Sequence, residues 1–162
     1  MHKIILVFGG NLGDVAETFR LALALLTEKK ILSVIKCSSL YKSPSLLNDE
    51  QPDYLNMVIF AQTGRSAEYL LEGLQEIERA FGRTEGEHWG PRPLDIDIID
   101  YAGKVIHTPK LHIPHKEFEN RAFVVFPVAE IFPSYSHPVT GKNIQEMLQA
   151  LNDAEIELIG KI

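Results

Sequence analysis

The chain has 162 residues, of which 45% are hydrophobic, and 16 Lys plus Arg against 22 Asp plus Glu leave a formal net charge of −6. A domain of this size buries about two thirds of its unfolded surface without a staple, and the single Cys37 excludes both a disulfide framework and a cysteine-rich zinc module. The acidic balance argues against holding nucleic acid by general phosphate neutralisation, and the apolar runs are too short for a leader or a membrane span, so one cytoplasmic domain over residues 1–162 is expected. In chain order, residues 4–8 form a continuous apolar run closed by Gly9 and Gly10, the pattern of a central strand covered on both faces. Asp14 and Glu17 have capping-box spacing, and Leu12, Val15, Phe19, Leu23 and Leu26 recur at helical intervals. Residues 31–41 and 54–61, rich in branched and aromatic side chains, predict two more strands. The connector between them, 43–53, is longer than the ~2–5 residues of a hairpin and is expected to have a task of its own. Ser66 caps a second helix bearing Leu70, Leu74, Ile77 and Phe81 and stopped by Gly82. Residues 94–99 alternate as a fourth strand. This β-α-β-β-α-β order predicts a ferredoxin-like α+β sandwich, its sheet mainly antiparallel and packed by two principal helices. Short strands near Val105 and Leu111, an apolar stretch around Phe123, a helix over 143–151 and a strand near Ile156 are C-terminal additions.

The chemistry concentrates around the fourth strand. Its period of two puts Asp95 and Asp97 on one face, ~7 Å apart at Cα, with Leu94, Ile96 and Ile98 on the other. Two hard oxygen ligands so placed suit Mg²⁺ beside a phosphate, although a solvated strand face also reads this way. The preceding loop, His88-Trp89-Gly90-Pro91-Arg92-Pro93, offers a ring for stacking on a flat ligand and a planar donor fork; a surface anchor and a salt bridge are the plainer readings. Between 83 and 121 stand four of the six histidines, with 6 Lys plus Arg and 7 Asp plus Glu interleaved, so metal and anion chemistry is expected there, not a basic nucleic-acid patch. No two of these histidines have helical i, i+4 spacing, and zinc is not expected. Glu78 borders the buried stripe of its helix and would need an arginine or a ligand N–H as partner. Tyr54 and Asn56 offer a ring and an amide to one side of the third strand.

Taken together, Gly9-Gly-Asn11-Leu-Gly, Gln51-Pro-Asp-Tyr54-Leu-Asn56, Trp89-Gly-Pro-Arg92-Pro-Leu-Asp95-Ile-Asp97-Ile, Pro114-His115 and Asn120-Arg121-Ala-Phe123 resemble the hydroxymethyldihydropterin pyrophosphokinases. The resemblance runs over most of the chain and implies the same sandwich fold. It implies transfer of pyrophosphate from ATP to the 6-hydroxymethyl group of dihydropterin, with release of AMP, on the route to folate. By it, Asp95 and Asp97 would ligate two Mg²⁺ ions, and Arg83, Arg92, His115 and Arg121 would hold phosphates or orient ATP. Arg83 and Arg92 would also count with the aspartates as catalytic. Gln75, Ile98, Lys110, His112 and Lys116 match positions near the nucleotide. Tyr54, Asn56, Trp89 and Phe123 would enclose the pterin, with Gly9, Asn11, Ser43, Pro44 and Leu46 lining its pocket, and the loops at 43–53 and 83–91 would close over the substrates. Asp97 is the best placed candidate to take the hydroxyl proton, unless metal coordination makes a dedicated base unnecessary. The expected partners are these small molecules, with no nucleic acid and no membrane, and the enzyme is expected to be a monomer.

Three positions depart from the family pattern: Thr84-Glu85-Gly86-Glu87 replaces a segment with a second basic residue, Gly10 stands where Ser is usual, and Leu47 where Gly is frequent. Two other readings stay open on the residues alone. One is a different Mg²⁺-dependent nucleotide transferase gripping a sugar nucleotide; the other is a ferredoxin-like regulatory or nucleic-acid module, which would not need paired aspartates.

Overall fold

The computed structural model describes residues 1–45, 50–82 and 93–162. Strand β1 (His2–Gly10) lies at the centre, with β4 (Tyr54–Thr63) antiparallel on one side and β5 (Asp95–Tyr101) antiparallel on the other. Beyond β4 come β2 (Ser33–Cys37) and β3 (Leu40–Ser43), both paired with it, and β8 (Glu157–Gly160) adds to the edge of β3. A separate hairpin joins β6 (Ile106–His107) to β7 (His112–Ile113). No described helix is long and apolar enough to cross a membrane.

Helices α1 (Val15–Glu28) and α2 (Ala67–Ala80) start where their caps predict: Asp14 accepts from the Glu17 amide and Ser66 from the Tyr69 amide. Both helices cover one face of the sheet, burying Phe19, Leu26, Leu70, Leu74 and Ile77 against Ile4, Leu6, Phe8, Ile96 and Ile98. Gly82, at φ +94°, takes the left-handed conformation after the second helix. Leu12 does not join the stripe of α1; it is exposed in the loop ahead of it.

The run 31–41, read as one strand, is broken into β2 and β3 at Ser38 and Ser39. The Ser38 hydroxyl accepts from the Val58 amide, while the Ser39 amide and hydroxyl both turn to the Glu130 carboxylate. Tyr41 and Lys161 donate to the same carboxylate. Burial opposes the Glu130 charge, but these hydrogen bonds outweigh it and hold the carboxyl below its ordinary range.

The apolar stretch around Phe123 is helix α3 (Ala122–Ile131), and α4 (Ile144–Ala150) packs beside it. Pro127 lies inside α3 and offers no N–H to the Phe123 carbonyl. Val124, Val125, Val128 and Ile131 seal the second sheet face against Ile5, Val7, Val58 and Ile99. The β1–β5 register shifts between Ile5 and Leu6, setting Asp100 opposite Ile5; buried Tyr135 donates to the Asp100 carboxylate. The seal ends at Val7 and Val58. The strand ends carrying Gly9, Asn56 and Asp95 continue past it.

Candidate active site

The register brings the critical residues into one row. Gly9 of β1 is paired with Asn56 of β4 on one side and with Asp95 of β5 on the other, and Val7 likewise separates Val58 from Asp97. Neighbouring strands lie about 4.8 Å apart, so the Asn56 and Asp95 backbones stand roughly 10 Å from each other, the span of a two-ring ligand. Tyr54 precedes Asn56 by two residues on the same face, and Ser43 is paired with Tyr54 across β3–β4. Leu94, Ile96 and Ile98 are buried in the helix-side core, as the alternation of the strand predicts, while Asp95 and Asp97 are partly exposed on the other face.

Gly9 is small because of what faces it. A Cβ built there would lie 2.7 Å from the Asn56 side-chain nitrogen, which itself points to the Phe8 carbonyl at 3.5 Å. Asn56 is 5% exposed, and among the described residues its Oδ1 has no hydrogen-bond partner. An acceptor buried without a donor costs about 1–3 kcal/mol, a deficit that a ligand N–H removes. Gly9→Ala is therefore expected to displace the Asn56 amide and raise the KM of the substrate that the Asn56 Oδ1 receives about tenfold or more; steady-state titration of each substrate checks this. Asn11, buried next to Gly10, donates to the Gln51 side chain and the Pro52 carbonyl, both at 3.2 Å, and ties the end of the connector to the β1 turn.

Behind the aspartates a cavity of about 190 Å³ is lined by Leu71, Ile96, Asp97, Ile98, Lys110, Leu111, His112, His115 and Lys116. The β6–β7 hairpin delivers Lys110 to His112. His115 is fixed by its own amide, which donates to the Ile99 carbonyl, and by its Nδ1, which accepts from the Glu117 amide. Burial and the Arg121 guanidinium push its pKa down to about 4, against the pull of Glu117 and Asp95. His115 is accordingly neutral at pH 7. Because the folded state binds the proton less well than the unfolded chain, stability should fall as pH drops from about 6.5 to about 4. Urea unfolding at pH 7 and 5 without nucleotide checks this: His115→Asn should flatten the slope, and an unchanged slope would assign the pH dependence elsewhere. Arg121 stands just before α3 and its guanidinium lies 5.5 Å from the Phe123 ring centre, so charge and ring share that corner.

Of the sequence-predicted residues, Gly9, Asn11, Ser43, Tyr54, Asn56, Asp95 and Asp97 lie on adjoining strand ends, and Ile98, Lys110, His112, His115 and Lys116 line the neighbouring cavity with Asp97. Pro44 is exposed just after β3. Gln75 is not brought into that cavity; it lies one turn beyond Leu71 on α2, in a separate depression with Arg65, Tyr69 and Arg79. Leu46, Arg83, Trp89 and Arg92 lie outside the described residues, as do the altered segment at 84–87 and Leu47. Leu71 and Leu111 line the cavity without having been singled out, although their places beside Gln75 and between Lys110 and His112 were a usable signal. Glu78 is 4% exposed, and its Oε2 accepts the backbone N–H of Ile96 at 2.8 Å, between the two aspartates.

Among the described residues no three His, Cys, Asp or Glu side chains group as metal ligands. Among the described residues Asp95 and Asp97 form an oxygen-donor pair, and two carboxylates beside a cation-lined cavity fit Mg²⁺, which takes one or two carboxylates and completes its shell with water and phosphate. A carboxylate pair at an open strand end, beside cations, is the arrangement that a phosphoryl-transferring enzyme needs.

The family described as 7,8-dihydro-6-hydroxymethylpterin-pyrophosphokinase (HPPK) matches residues 5–133. A 2-amino-4-hydroxy-6-hydroxymethyldihydropteridine pyrophosphokinase of Synechocystis is 36% identical over 151 residues, covering 93% of this chain and 77% of the relative. One of Aquifex aeolicus is 36% identical over 146 residues and 90% of each chain. In structure the chain is similar to an HPPK-DHPS of Plasmodium falciparum solved with pteroate, at TM-score 0.71 and 15% identity, covering 92% of this chain and 42% of that one. The ferredoxin-like fold is thus shared. The chain belongs to the 7,8-dihydro-6-hydroxymethylpterin-pyrophosphokinase family, whose enzymes transfer pyrophosphate to hydroxymethyldihydropterin in folate biosynthesis.

Proposed function

We propose that the pyrophosphate donor is ATP, released as AMP, and that the reaction depends on two Mg²⁺ ions held by Asp95 and Asp97. The observation that carries this reading is the row Asn56–Gly9–Asp95, which sets a buried, unsatisfied amide oxygen and the carboxylate pair on neighbouring strands. The Asn56 Oδ1 would accept from the amino edge of the pterin, with Tyr54 and Phe123 enclosing its rings and Gly9 leaving room for the ring edge. Asn11, Ser43 and Pro44 would form the rest of that wall.

When bound, the metal ions neutralise charge on the triphosphate. The chain's own residues supply position and countercharge, which phosphoryl transfer needs more than covalent help. Lys110 and Lys116 bring cations to the cavity, Arg121 adds a planar donor fork, and neutral His115 can donate from Nε2 because its Nδ1 already accepts the Glu117 amide. Ile98 and His112 offer a wall for the base. Asp97 is the candidate acceptor of the hydroxyl proton. The resemblance further assigns Arg83 and Arg92 to the phosphates, Trp89 to the pterin face, Leu46 to its pocket and Gln75 to the nucleotide.

The experiment is chromatography of nucleotides after mixing protein, ATP, Mg²⁺ and 6-hydroxymethyl-7,8-dihydropterin, beside controls without pterin and with chelator. AMP is expected only in the complete mixture. ADP, or AMP formed equally without pterin or with chelator, would overturn the reading.

A further inference from the structure

The hairpin at the cavity rim carries a pair of side chains that the reaction does not use as a pair. His107 and His112 are directly opposite each other in the β6–β7 register. Their Nδ1 atoms stand 3.0 Å apart and their ring centres 5.1 Å apart, with the planes inclined by 59°. Both residues are exposed. We propose that these two imidazoles form a seat for a divalent transition metal of the Zn²⁺ class, distinct in place and in donor chemistry from the carboxylate pair.

The geometry is close to what such an ion requires. Metal–nitrogen bonds of about 2.0–2.1 Å at a tetrahedral angle place the two nitrogens about 3.3 Å apart. The observed spacing has to open by only a few tenths of an ångström, within the freedom of two exposed side chains. In the metal-free pair one ring donates Nδ1–H to the other. Binding shifts that proton to Nε2 of the same ring, so both Nδ1 lone pairs face the ion. Water fills the remaining positions, since the seat opens to solvent.

Donor type separates this seat from the candidate Mg²⁺ site. Imidazole suits Zn²⁺, Ni²⁺ and Cu²⁺, whereas Mg²⁺ prefers oxygen, so millimolar Mg²⁺ leaves the pair open to a softer ion. His115, the other histidine of this region in the cavity wall, is not part of the seat, because its Nδ1 is occupied by the Glu117 amide. Lys110 lies in the turn between the strands and opposes a dication, which keeps the seat weak and reversible. The seat is also cross-strand: an ion there links β6 to β7 and stiffens the hairpin that supplies Lys110, Leu111 and His112 to the cavity.

The test is calorimetric titration of Zn²⁺ into the nucleotide-free protein in buffer containing excess Mg²⁺. The Cys37→Ser background removes the one thiol, and Asp97→Asn controls for the carboxylate pair. One Zn²⁺ per chain is expected in both, with affinity reduced at least tenfold by His107→Ala and by His112→Ala separately. Thermal unfolding supplies the second reading: Zn²⁺ should raise the midpoint of the Cys37→Ser protein and leave that of Cys37→Ser/His107→Ala unmoved. The metal-free midpoints of the two proteins are expected to agree, since both imidazoles are exposed. Absence of binding, or binding that survives His107→Ala or is lost in Asp97→Asn, would overturn the proposal.

Discussion

Replacing Asp97 by Asn is expected to lower kcat for pyrophosphate transfer by at least about a thousandfold while leaving the fold intact. Asparagine has the same shape, and the side chain is only partly buried on the open face of β5, so the ladder with Val7 is undisturbed. What is lost is a full negative charge, and with it a hard ligand where the reaction must neutralise a polyphosphate; single electrostatic groups at such points are worth roughly a hundred- to a thousandfold, and this one would also hold metal and accept a proton. Asp95→Asn should lose nearly as much in turnover. The measurement is steady-state kinetics across a Mg²⁺ titration, with thermal unfolding as control for folding. The midpoint should stay within about 2 °C of wild type. A loss of tenfold or less at saturating Mg²⁺ in both variants would move the metal site away from this strand.

Glu78→Ala is expected to damage both stability and turnover although Glu78 does not face the cavity. Its carboxylate receives the Ile96 N–H from within the core, and truncation leaves a buried amide without its acceptor and a void against the sheet. Such a loss costs about 2–4 kcal/mol, readable as a lower urea midpoint. Ile96 lies between Asp95 and Asp97, so the same hydrogen bond fixes the pitch of the strand that aims both carboxylates. Glu78→Gln keeps an acceptor of the same length and should recover most of the turnover. If Glu78→Ala proved destabilised but fully active at 15 °C, the bond would be a packing feature without influence on the aspartates.

The local signals in the chain were sufficient for most of the architecture. Asp14 and Ser66 cap their helices because a cap needs only a side-chain oxygen and an amide three residues on, both specified within one turn of chain. The 94–99 alternation set Asp95 and Asp97 on the face opposite Leu94, Ile96 and Ile98 because side-chain direction in a strand depends on parity alone. The glycine, aspartate and arginine motifs likewise pointed to the family before any coordinates, since the chemistry of metal and phosphate tolerates few substitutes.

What only the tertiary structure decided is pairing between distant segments. The 31–41 stretch is apolar enough for one strand, and it breaks at Ser38–Ser39 because Glu130, 91 residues away from Ser39, captures an amide that would otherwise continue the ladder. Glu78 was legible as a carboxylate in need of partners, but not that the Ile96 amide would be among them. The placing of Asn56, Gly9 and Asp95 in one row depends on two antiparallel registers at once, and the juxtaposition of His107 with His112 on a third. Registers of this kind are settled by which faces are buried together, and here α3 covers one end of the second face and stops at Val7 and Val58. The residues of the site are therefore written in the chain, while the opening that makes them a site is made by where a helix ends.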